Sequence, residues 1–98
     1  MCSISSIMGM KKNSIAEMHK DLMQALRVNY YPTCKKPDQV LGLSPHSDTS
    51  TVTILLQDNH IDGLQIRHDE EWVPVMPIPD ALVVNIGDVI EVIYYHYY

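Results

Sequence analysis

The feature that most constrains this chain is a change of period near Arg27. Before it, Ser14-Ile15-Ala16-Glu17 has the form of a capping box, and Ile15, Met18, Leu22 and Leu26 recur at helical spacing. This predicts a helix from Ser14 to Leu26. After it come short β-rich runs separated by Pro, Gly, Asn and Asp: Arg27 to Tyr31, Val40 to Leu43, Thr51 to Gln57, Leu64 to His68, Trp72 to Val75 and Ala81 to Ile93. The last run is open to a break at Gly87-Asp88. Asp62-Gly63 has the chemistry of a tight turn, while Pro32, Pro37, Pro77 and Pro79 mark loops or strand edges. Within Thr51 to Leu56, residues Val52, Ile54 and Leu56 share one face and the threonines the other, which predicts a half-buried strand. A helix with one apolar stripe needs a surface to cover, so it is expected to pack on the sheet. The fold class read from this order is mainly β with an N-terminal helix, and many short strands at near-regular spacing point to a sandwich, barrel or jelly roll.

Size limits what such strands can build. A chain of 98 residues buries only a modest share of its surface, so it is one small domain or part of a larger one. With 46% apolar and 19% charged residues it is globular in composition and not disordered. A formal charge of -5, with Lys11-Lys12 and Lys35-Lys36 as mere pairs, argues against nucleic acid, which needs a concentrated cationic surface. No apolar run reaches the roughly 20 residues that span a bilayer, and Met1 to Met10 lacks the basic region of a signal peptide. A cytoplasmic protein is expected. Cys2 and Cys34 are too few for a disulfide framework or a structural zinc site and are read as free thiols.

The first constellation with chemical meaning is His46-Ser47-Asp48. In an extended segment residues i and i+2 point the same way, so the imidazole and the carboxylate can chelate one ion. They amount to two thirds of a 2-His-1-carboxylate facial triad, which holds Fe(II) on one face and leaves positions open. Spacing alone does not decide the matter, because His60-Ile61-Asp62 repeats the pattern where a turn explains it without metal. Trp72 is read as a packing residue, and His19 and His68 as surface or packing residues.

Context separates the two pairs. The runs Asn29-Tyr30-Tyr31-Pro32, Pro37-Asp38 and Leu41-Gly42-Leu43-Ser44-Pro45-His46-Ser47-Asp48 lead into Thr53-Ile54-Leu55-Leu56-Gln57. Gly63-Leu64-Gln65-Ile66, Trp72-Val73-Pro74-Val75 and Asn85-Ile86-Gly87-Asp88 follow. In order and spacing the series resembles the plant branch of the iron(II)/2-oxoglutarate-dependent dioxygenases, the isopenicillin N synthase-like group. The resemblance covers roughly Arg27 to Ile93. It implies a double-stranded β-helix, the cupin-like jelly roll, with residues 1–26 as a lead-in segment and 27–98 as part of the jelly-roll domain. It implies Fe(II) and 2-oxoglutarate as cofactors, with His46 and Asp48 matching the first two metal ligands. Asn29 and Tyr31 match positions that help hold 2-oxoglutarate, and the substrate is expected to be a small molecule that is hydroxylated, demethylated or desaturated.

The sequence departs from the family after Gly87-Asp88. Relatives continue into a Ser-Asn-Gly turn, a distal histidine and an Arg-x-Ser motif, whereas this chain reads Val92-Ile93-Tyr94-Tyr95-His96-Tyr97-Tyr98. The expectation is a C-terminally truncated member, with His96 several residues too early to replace the distal ligand. Loss of an outer-shell partner already lowers metal affinity about 10 to 100-fold, and loss of a ligand should cost at least as much. Without the arginine fork nothing here matches the carboxylate grip. The chain is therefore expected to be catalytically impaired. Unpaired strand edges predict marginal stability or association with itself or a longer paralogue, and the alternative reading is a non-catalytic interaction module.

Overall fold

The helix expected from Ser14 starts there but stops at Met18, well short of Leu26. The computed structural model describes residues 2–21, 23–58 and 60–97, which form two compact units, Met1–Ser44 and Pro45–Tyr98. In the first unit a helix α1 (Cys2–Ile7) precedes α2 (Ser14–Met18). Gly9, at φ 68°, closes α1 in a Schellman arrangement, with Met10 N donating to Ser5 O at 2.9 Å and Gly9 N to Ser6 O at 3.2 Å. The two helices meet at a pair of fully buried residues, Ile15 and Ser5, where Ser5 Oγ accepts a hydrogen bond from Ile15 N at 3.2 Å.

The expected capping box does not form. Asn13 is the cap residue, its side chain makes no capping bond, and Ser14 is already helical. The expected stripe ends early too: Met18 is 46% and Leu26 94% exposed, and Leu22 lies outside the described residues. A helix of one or two turns is marginal without tertiary support, and the described residues of this unit form no sheet to cover the stripe. Arg27 to Tyr31 and Val40 to Leu43, expected as strands, are irregular, with a 3-10 turn, Pro37–Gln39, between them. A β-prone run becomes a strand only when a neighbour completes its ladder, and neither run has one among the described residues.

The second unit contains the sheets. Strand β1 (Val52–Leu55) pairs antiparallel with β4 (Val83–Ile86), in the register Val52 to Ile86, Thr53 to Asn85, Ile54 to Val84 and Leu55 to Val83. Nested between them in sequence, β2 (Gln65–His68) and β3 (Glu71–Pro74) form an antiparallel hairpin. Its loop is Asp69-Glu70, both at positive φ, 47° and 68°, as a two-residue primed turn requires. Asp62-Gly63, the expected turn, is not the hairpin connection, and Gly63 does not take a positive φ.

The face of β1 turned inward is the opposite of the one expected. Thr53, Leu55, Val83 and Asn85 are half-buried, whereas Ile54, Val84 and Ile86 are 65%, 57% and 54% exposed. Beyond Gly87 the expected continuation of the last strand is instead a helix, α3 (Asp88–Tyr97), although its sequence is rich in β-branched and aromatic residues. Intrinsic propensity is a weak prior. Here the Gly87 carbonyl accepts from Ile90 N and Glu91 N, acidic Asp88 and Glu91 complement the first turn, and Ile90 is buried. No helix among the described residues is long and apolar enough to cross a membrane.

Candidate metal centre

His46 and Asp48 lie just before β1 and are brought together as their spacing suggests. His46 Nε2 stands 3.6 Å from Asp48 Oδ1, with the histidine side chain 52% and the aspartate 25% exposed. Two neighbouring donors each about 2.0–2.2 Å from one ion sit roughly 3 Å apart on an octahedral face, so the pair needs to close by only about half an ångström to share a metal. An imidazole nitrogen and a carboxylate oxygen also suit ferrous iron as donors.

The backbone that carries the pair is held by the end of β4. Asp88 N donates to Asp48 O at 2.8 Å, and Gly87 N to Thr51 O at 3.0 Å. Gly87 permits this approach because a Cβ there would overlap the Ser50 carbonyl oxygen and lie 2.8 Å from Asp48 O. The side chains of Asn85, Ser47 and Asp88 reach the same segment. Sequence reasoning singled out Asn85-Ile86-Gly87-Asp88 as a run but gave it no role; the register that opposes β4 to β1 was needed to see it.

The other sequence candidates lie elsewhere in the chain. Asn29 and Tyr31 lie on an exposed, irregular stretch of the first unit, where the Tyr31 ring would be 3.4 Å from a Cβ added at Gly42. Among the described residues no ion pair joins His60 to Asp62. Asp58 Oδ1 instead accepts from His60 N at 2.9 Å, a local turn of the kind that explains this pair without metal. His19 Nδ1 bonds Ile15 O at 2.8 Å, and His68 pairs with its neighbour Asp69. His96 sits in the last turn of α3, and among the described residues no group of three metal-ligating side chains forms.

The nested antiparallel pairs, with His46 and Asp48 side by side at the entry to the first strand, form part of a jelly roll. Comparison with known proteins agrees. A sequence profile of the 2OG-Fe(II) oxygenase superfamily matches residues 22–98. Protein SRG1 of Arabidopsis thaliana is 58% identical over 73 residues, which cover 74% of this chain and 20% of that protein. Oxoglutarate-dependent flavonoid 7-O-demethylase 1 of Ocimum basilicum is 46% identical over 90 residues, 92% of this chain and 24% of that one. Among solved structures, JOX2 in complex with 2OG, Fe and JA matches with a TM-score of 0.80 at 40% identity, covering 93% of this chain and 28% of that chain.

The chain belongs to the 2OG-Fe(II) oxygenase superfamily, and its fold is an incomplete jelly roll of the kind that superfamily builds. It spans about a quarter of the length of the relatives it matches. Fe(II) and 2-oxoglutarate are the cofactors of the family, whose members act on small molecules.

Proposed function

We propose that this chain supplies two of the three protein ligands of an Fe(II)/2-oxoglutarate oxygenase centre, His46 through Nε2 and Asp48 through Oδ1. The 3.6 Å separation of those atoms is the observation that carries the reading. Asn29 and Tyr31, which stand two apart and so share a side of an extended chain, are proposed to help hold 2-oxoglutarate. Ferrous iron with 2-oxoglutarate supplies oxidative chemistry towards a small molecule, by hydroxylation, demethylation or desaturation, while the protein positions the reactants. The division into a lead-in segment, 1–26, and a jelly-roll part, 27–98, belongs to the same proposal. So does a cytoplasmic location, where the Cys34 thiol would stay reduced.

With two donors the chain by itself holds iron weakly and is catalytically impaired, since a facial triad takes three protein ligands. Anaerobic Fe(II) titration of the purified chain, with and without 2-oxoglutarate, tests this. Weak binding that His46→Ala and Asp48→Ala both remove supports the assignment. Binding indifferent to both substitutions rejects it.

A second reading, a module that associates with another chain, draws on a different observation. Ile54, Val84 and Ile86 present an apolar sheet face that nothing among the described residues covers, and the two-stranded sheets leave ladder edges open.

A further inference from the structure

The segment 46–48 is gripped from one direction by residues far away in sequence. Ser47 Oγ donates to Asp88 Oδ2 at 2.8 Å across 41 positions, and Asn85 Nδ2 donates to Asp48 Oδ2 at a longer 3.5 Å across 37. The two backbone bonds from Gly87 N and Asp88 N lie beside them.

These contacts divide the segment by side. Successive side chains of an extended chain point opposite ways, so Ser47 projects away from the side on which His46 and Asp48 meet. Tying Ser47 to Asp88 therefore fixes which way the two donors face, because rolling the segment would have to break that bond. Asn85 then divides the carboxylate. Its amide meets Asp48 Oδ2, while Oδ1 is the oxygen turned to His46 Nε2. A carboxylate held by one oxygen offers the other to an ion, and hydrogen bonds of this type orient metal ligands. The Ser47–Asp88 bond is exposed and the Asn85–Asp48 bond part-buried and long, so both contribute little net stability and their value is directional.

We propose that Ser47, Asn85 and Asp88 are positioning residues for the metal pair, Ser47 with Asp88 setting the facing of the segment and Asn85 selecting Oδ1 of Asp48 as the donor. This rests on His46 and Asp48 being metal ligands, as proposed above. It assigns a task to the Asn85-Ile86-Gly87-Asp88 run that its place at the end of a strand does not.

The test is anaerobic Co(II) titration of the 98-residue chain, followed by the visible absorption of the bound ion, which reports coordination geometry as well as occupancy. Ser47→Ala and Asn85→Ala should each weaken binding about 10-fold and shift the absorption bands, and Ser47→Thr, which keeps the hydroxyl, should restore both. Far-UV circular dichroism and the urea midpoint are recorded for each variant. If Co(II) binding depends on His46 but is unchanged in Ser47→Ala and Asn85→Ala, positioning is overturned and the metal assignment stands. If the parent shows no His46-dependent binding, the metal assignment fails and this inference falls with it. If affinity falls only in step with the urea midpoint and Ser47→Thr does not restore it, the contacts are merely structural and the inference is again overturned.

Discussion

Gly87 shows how one residue's lack of a side chain can decide whether a site assembles. Its backbone nitrogen and that of Asp88 reach carbonyls in the 48–51 segment, and a Cβ would collide with the Ser50 carbonyl. The reason for glycine here is close approach, since its φ lies outside the left-handed region. Gly87→Ala should therefore cost about 1–3 kcal/mol, as overpacking typically does, and should remove amide protection at Asp88. Hydrogen exchange at Asp88 and its neighbours would measure both as a local opening free energy, and a variant as protected as the parent would show that the approach is dispensable. At the same scale the meeting of His46 and Asp48 follows from alternation in an extended segment, which is local, but spacing did not separate this pair from His60 and Asp62; the runs around it did. Their partner Asn85 was not legible, because its contact depends on the β1 and β4 register.

Elements were readable to the extent that their partners are near in sequence. The runs that became β1, β2 and β3 lie within one or two residues of the expected limits. The α1 helix was missed although Gly9 is a legible stop signal, because the Met-rich run before it has no clear period. Asp62-Gly63, expected as a tight turn before the Leu64 to His68 run, forms no turn, while the pairing of His68 with Glu71 puts the hairpin loop at Asp69-Glu70, in the gap between the two expected strands. That loop holds a glutamate at φ 68°, an uncommon conformation for a long side chain. Replacing Asp69-Glu70 with Asn-Gly should stabilise the hairpin by about 1 kcal/mol, the low end of the cost of a non-glycine residue in this region. The exposed Arg67–Glu70 ion pair that is lost contributes about 0–1 kcal/mol, so the net gain is read most directly as slower amide exchange across Gln65–His68. Unchanged or faster exchange would mean that the loop carries no strain.

Across the whole molecule the apolar surface dominates. Among the described residues of Pro45–Tyr98 only Gly87 and Ile90 are buried, so the jelly-roll part has almost no core of its own. The face formed by Ile54, Val84 and Ile86 is opposite the half-buried face that carries Asn85. Such a surface is an association site in water. The chain should accordingly unfold without a sharp two-state transition and should shift to larger species with concentration, and the double substitution Ile54→Lys with Val84→Lys should reduce that shift. Analytical ultracentrifugation over a range of concentrations checks it, and a sharp, concentration-independent monomer transition would contradict it.

The sequence by itself determined the family, the β-rich character and the His46–Asp48 pair, because these depend on local alternation and on the order of short runs. Only tertiary structure decided which face of β1 turns inward, that the segment after Gly87 coils into α3, and that Asn85 and Asp88 reach the His46–Asp48 segment. The first and last of these depend on contacts between residues about thirty to forty positions apart, and strand register, unlike strand propensity, is a property of two segments at once.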